Sequence, residues 1–198
     1  MQERKIRTTE LIRDIRPVVQ PGMKVSDRQL KGRRSMEFIS QKRRPHADYA
    51  CGVACLAMLL RHRNRDERVD YQELARRLRI DQKVTKKWGN QYEDCGLGAY
   101  PADITKYLKE EGIPFLHIHD AEKCHSAGRA LLSIVASGPT MAGMNWGKEG
   151  HWVVLVTEEN GQLSYLDPAK TANEPHKSSI TDQDLLAQWD GFAIQLLR

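Results

Sequence analysis

Cys51 stands where a stretch without periodicity meets a run of small and apolar residues, Ala50-Cys51-Gly52-Val53-Ala54-Cys55-Leu56-Ala57-Met58-Leu59-Leu60. Positions 51, 54, 55, 58 and 59 fall on one face of a helix, so the spacing predicts a buried helix that begins at the cysteine. The first turn of a helix leaves backbone N–H groups unpaired, and these together with the helix dipole favour a thiolate over a thiol. Gly52 takes side-chain bulk away from the sulfur, which lets a carbonyl approach the Cys51 backbone N–H as an oxyanion donor. A cysteine on an apolar helix also serves as a small buried hydrophobe. The partners therefore decide.

Two partners stand late in the chain. His151 opens the apolar run His151-Trp152-Val153-Val154-Leu155-Val156, and Asp167 closes Leu163-Ser164-Tyr165-Leu166-Asp167 just before Pro168. With the turn Glu159-Asn160-Gly161 between them, the two runs read as a β-hairpin. Its first and last residues then lie at the same end, within reach of a hydrogen bond that fixes the imidazole tautomer. Taken singly, a strand-end histidine and an Asp-Pro turn are ordinary surface features. Taken with Cys51 they form a nucleophile, a base and an orienter.

The remaining elements frame these three. Helices are expected over about 70–79, 101–111 (opened by Pro101 and closed by Gly112) and 126–137, and over 181–188 with Thr181 as cap. Strands are expected over 113–118, 140–145 and 191–197. Residues 81–100 carry glycines, aromatics and charges without periodicity, and read as a long loop of the kind that is often functional. Helices first and strands later is an α+β order.

The run Ala47-Asp48-Tyr49-Ala50-Cys51-Gly52-Val53-Ala54-Cys55 onward to His62 resembles the nucleophile helix of the double-glycine leader peptidases, papain-like cysteine peptidases that process bacteriocin precursors. Gly150-His151-Trp152-Val153-Val154-Leu155-Val156 and Ser164-Tyr165-Leu166-Asp167-Pro168 resemble that family's histidine and aspartate strands. Asp184 to Leu197 resembles its closing helix and strand. The resemblance spans about residues 40–198 and implies a papain-like fold, with an N-terminal helical part carrying the nucleophile helix packed on a C-terminal antiparallel sheet. It also implies thiol attack on an amide, with His151 as base and Asp167 orienting it.

Two departures stand out. The family places a glutamine six residues before the cysteine as an oxyanion donor, whereas here position 45 is Pro45 and Gln41 lies ten before. Gln41 takes that role if the loop bulges; His46 is the substitute, and a lost donor the third reading. No transporter domains follow either, so the substrate need not be a leader peptide.

Among the other reactive groups, Cys55 lies one turn deeper on the face of Cys51 and reads as core. Cys95 imitates the family loop locally in Gln91-Tyr92-Glu93-Asp94-Cys95-Gly96, but Leu97-Gly98-Ala99-Tyr100-Pro101 breaks any helix after it. Trp88 and Tyr92 in the 81–100 loop, with Trp146 and Gly150 beside His151, are the expected substrate contacts. His117, His119, Cys124 and His125 match no common zinc spacing. No metal or cofactor is expected.

Composition bounds the rest. At 198 residues, 40% hydrophobic and 29% charged, the chain fits one globular domain with an appendage. No apolar leader and no membrane-length run occurs, so a cytoplasmic protein is expected, with export as an effector an alternative. Residues 1–45 hold 13 of 31 Lys and Arg against 5 of 26 Asp and Glu. This places a basic arm, residues 1–39, before a catalytic domain of residues 40–198, and an acidic surface is the partner such an arm would suit. With a single aromatic, Phe38, the arm lacks the stacking groups of nucleic-acid binders. The leading expectation is a cysteine hydrolase that cleaves peptide or isopeptide bonds. The same triad would serve a glutamine deamidase or acyl-transferring toxin, and an inactive fold retained as a binding module is the third reading.

Overall fold

The structure is a computed structural model that describes residues 36–42, 47–64, 68–80, 83–88, 91–96, 98–120, 125–146, 150–159, 162–171, 173–174 and 177–197. Residues 1–35 of the basic arm lie outside them. The chain runs through α1 (Cys51–Arg63), α2 (Tyr71–Arg77), β1 (Lys83–Trp88), β2 (Gln91–Gly96), α3 (Pro101–Glu110), β3 (Phe115–His119) and α4 (His125–Ser137). There follow β4 (Thr140–Met144), β5 (His151–Glu159), β6 (Gln162–Leu166), β7 (Lys177–Thr181), α5 (Asp182–Gln188) and β8 (Trp189–Leu196).

Six strands form one antiparallel sheet in the order β3-β8-β4-β5-β6-β7. Alternating side chains along β5 feed two different cores. Trp152 and Val154 join Val53, Leu56, Met58 and Leu60 of α1 on one face. Val153 and Leu155 join Leu131 and Val135 of α4 and Leu185 of α5 on the other. Burial on both faces explains why β4 is buried at every position and why β5 reads as a continuous apolar run rather than an alternating one. The expected helix-on-sheet arrangement is present, with α4 and α5 as a second covering layer.

Helix ends follow their local chemistry. The Asp70 side chain accepts from the backbone N–H groups of Gln72 and Glu73 at the start of α2, and Thr181 caps α5 by accepting from Asp184 N–H. Pro101 sits in the first turn of α3. Upstream of α1, Ile39 is buried in the first core, and Met36 and Phe38 pack against it.

Two expectations fail. Residues 83–96 are not a loop but the hairpin β1–β2, paired from Lys83↔Gly96 to Trp88↔Gln91. Its strands, Lys-Val-Thr-Lys-Lys-Trp and Gln-Tyr-Glu-Asp-Cys-Gly, lack an apolar face to mark them, and the Gly89-Asn90 pair between them was the available hairpin signal. The edge strand β7 was missed for the same reason, since Lys-Ser-Ser-Ile-Thr buries little.

Leu60 is fully buried against the sheet. Leu60→Ala should therefore cost about 2–5 kcal/mol, measured as a lower urea midpoint at unchanged slope.

Candidate active site

Cys51 is the first residue of α1, half-buried, and no side chain caps that first turn. No acidic residue lies in the turn either. Its backbone donors therefore face outward without a competing side-chain acceptor, as an oxyanion requires. The position is held from outside the helix. The Tyr71 hydroxyl of α2 donates to the Ala50 carbonyl at 3.4 Å, and α1 packs flat on β5 through the first core.

Gly52 marks a close approach. A Cβ there would stand 2.5 Å from Ala99 Cβ and 3.1 Å from the Trp152 ring, whose Nε1 donates to the Ala99 carbonyl at 3.0 Å. The space left by the missing side chain is thus taken by the segment after β2 and the second residue of β5, which close against α1, and is not left open for a substrate carbonyl, contrary to expectation.

The β5–β6 pairing sets Val154 opposite Leu166. Extending that register puts Asp167 opposite Val153, a diagonal neighbour of His151. His151 Nε2 and Asp167 Oδ1 are 2.7 Å apart. Both side chains are mostly buried, with 15% and 14% of their surface exposed. Asp167 Oδ1 also accepts from Ala169 N–H at 2.9 Å, which anchors the carboxylate to its own turn.

Burial works against a charged His151 ring. Hydrogen bonds to Asp167 and to Cys51, and the charges of both, outweigh it and raise the ring's pKa to about 9. For Asp167 burial acts in the opposite sense, and the His151 bond, the Ala169 N–H and the charges of His151 and Lys170 hold the carboxyl below its ordinary range. Cys51, His151 and Asp167, expected as a set, are thus brought together. Nε2 is taken by Asp167, so the ring nitrogen left for Cys51 is Nδ1.

Gln41 is buried at the same end. Its backbone N–H donates to the Pro168 carbonyl at 2.8 Å and its Nε2 to the Ala47 carbonyl at 2.6 Å. Among the described residues its Oε1 has no hydrogen-bond partner. Ser40 Oγ donates to the Lys170 carbonyl at 2.5 Å. The segment before α1 is therefore fastened to the turn that follows Asp167, and Gln41 is brought to the Asp167 turn despite its distance from Cys51 in sequence.

Other expected residues fare differently. Cys55 is fully buried, and burial, then the charges of Cys51 and Asp167, push its thiol well above the ordinary range. Cys95 lies within strand β2 opposite Val84, not at a helix start. The side chains of Trp88 and Tyr92 lie outside the described residues, as do His46, Cys124 and the side chain of His125. His117 and His119 lie exposed on β3, and no group of three metal-ligating side chains occurs among the described residues. Gly150 adopts φ +75°, a left-handed conformation natural to glycine, immediately before His151. Trp146 stacks on the His151 ring at 5.7 Å between centroids and 23° between planes. Tyr165 and Gln188, which touch Trp146 in turn, were missed; nothing in local spacing marks either.

A cysteine at the start of a helix that packs on an antiparallel sheet carrying the histidine defines the class as a papain-like cysteine peptidase. Residues 34–196 match the model of the Peptidase_C39-like family, and the chain belongs to that family. No curated protein matches it. Several solved structures share the fold, among them the following three. A C39-like peptidase from Bacillus anthracis is 19% identical at a TM-score of 0.60, covering 83% of this chain and 95% of its own. The double glycine motif protease of an AMS/PCAT transporter, solved in complex with its leader peptide, is 18% identical at 0.54, covering 84% and 94%. The peptidase domain of Streptococcus ComA, a bifunctional ABC transporter of a quorum-sensing pathway, is also 18% identical at 0.54, covering 82% and 98%. Among the described residues no helix is long and apolar enough to cross a membrane.

Within a helix Gly→Ala ordinarily gains about 1 kcal/mol. At Gly52 the contact with Ala99 Cβ outweighs that gain, because Ala99 Cβ moves only with its backbone. Gly52→Ala should destabilise the protein by about 1–3 kcal/mol, read as a fall in Tm.

Proposed function

We propose that Cys51, His151 and Asp167 are the catalytic triad of this peptidase, and that it cleaves a peptide bond through a Cys51 thioester. The observation that carries this reading is the buried His151 ring bonded to Asp167 at Nε2, with the Cys51 side chain near enough to help raise its pKa. In this mechanism Cys51 reacts as the thiolate, its proton held by His151. Its sulfur attacks the carbonyl carbon and forms the C–S bond, while the carbonyl π pair moves to oxygen. The Cys51 backbone N–H and a Gln41 amide N–H receive that oxyanion. As the C–N bond breaks, the Nδ1 proton of His151 passes to the leaving amine. The neutral ring then takes a proton from water, the hydroxide hydrolyses the thioester, and thiolate and imidazolium return.

Asp167 orients the ring and stabilises its charge without taking the proton. The substrate class is a peptide. The leader peptide bound by the AMS/PCAT protease, which shares the fold, supports that class. Trp88, Tyr92 and Gly150 are proposed to line the approach.

Cys51→Ala should abolish turnover of a peptide library scanned by mass spectrometry, and His151→Ala should lower it by about 10²–10⁴-fold. New peptide termini support the reading; a side-chain amide converted to carboxylate with no new terminus replaces it by deamidation.

The pH dependence has a defined sign. His151 is raised from 6.5 to about 9, so the proton it delivers is fully present below 6.5 and is lost as pH rises through about 9. Turnover should fall over that upper range, and so should the stability contributed by the charged pair. Flat turnover to pH 10 would contradict the assignment.

A further inference from the structure

The His151 ring is held from a side that neither Cys51 nor Asp167 occupies. Asn145 N–H donates to the Gln188 carbonyl at 2.7 Å, and Trp146 Nε1 donates to Gln188 Oε1. One residue at the end of α5 thus grips two successive positions, once through its backbone and once through its side chain. Trp146 lies stacked on His151, and its second aromatic neighbour is Tyr165, 5.4 Å away at 59°. Tyr165 and Trp146 both pack against the core that includes Leu185 and Trp189. The indole is therefore fixed at its nitrogen and at its ring.

An aromatic face within about 6 Å of a cation attracts it through the ring quadrupole, and offset stacking at 4.5–7 Å is a favoured aromatic geometry. Both apply to a charged imidazole. Stacking also limits rotation of the histidine side chain, which has to present one nitrogen to each of two partners. Among the described residues the titratable groups facing this ring are Cys51 from α1 and Asp167 from the end of β6.

We propose that Trp146, braced by Gln188 and Tyr165, is a positioning residue that holds the His151 ring toward Cys51 and Asp167 and favours its charged form. The brace links the β7–α5 unit to the site, so that Gln188 acts on His151 through Trp146. This deepens the triad reading and rests on it.

The test is an NMR titration of the His151 ring in the full chain, with native folding of each variant checked by circular dichroism. Trp146→Ala should lower the midpoint by about half a unit to one and a half units, while Trp146→Phe, which keeps a ring face, should retain most of it. Gln188→Ala should lower it by a smaller amount. A folded Trp146→Ala protein with the wild-type midpoint overturns the proposal, as does Trp146→Phe falling equally far. Should Trp146→Ala fail to fold, Gln188→Ala decides: a fall supports the brace and an unchanged midpoint overturns it. The titration needs no substrate, so a lowered midpoint in a protein whose turnover survives Cys51→Ala would reject the triad while leaving the brace standing.

Discussion

The hydrogen bond between His151 Nε2 and Asp167 Oδ1 is the constraint around which the site is organised. It commits one ring nitrogen to the carboxylate and so leaves the other for sulfur. Neither group would sit charged in so enclosed a place alone, since burial raises a lone carboxyl and lowers a lone imidazole. Here each offsets the other's desolvation, and the Ala169 N–H completes the carboxylate's partners. Removing one member would therefore cost more than its own contribution, because the partner would be left buried and unpaired.

That bond exists because of register. The β5–β6 pairing sets where Asp167 falls relative to His151, and a one-residue slip would send one of them to the opposite face. Register is enforced by the two cores, since every buried residue of β5 would exchange faces in a slip. The same double burial seats α1 on the sheet and brings Cys51 to the histidine. Stability and site geometry thus share one cause.

The parts legible in the sequence were those with a periodic or terminal signal. Helix α1 was read from local pattern as buried, although it is buried all round from Gly52 to Leu60 and not on one face. The β5 and β6 runs and the Thr181 cap were read likewise, and so was the grouping of Cys51, His151 and Asp167. The β1–β2 hairpin and β7 were not, because polar strands identify themselves only through their partners. Gln41 was named only by analogy with the family. That its backbone would bond Pro168 depends on tertiary closure, which spacing does not encode. The stacking of Trp146 on His151, under a glutamine 42 positions later, was not legible. Contacts of that range leave no periodic trace.

The most direct measurement is the rate at which iodoacetamide alkylates Cys51 in the native protein near pH 6.5, followed by peptide mapping and compared with glutathione. An ordinary thiol is almost wholly protonated there, whereas a thiolate paired with the His151 imidazolium reacts at least about tenfold faster, and His151→Ala removes the advantage. Labelling of Cys51 no faster than glutathione, or unaffected by His151→Ala, would contradict the account.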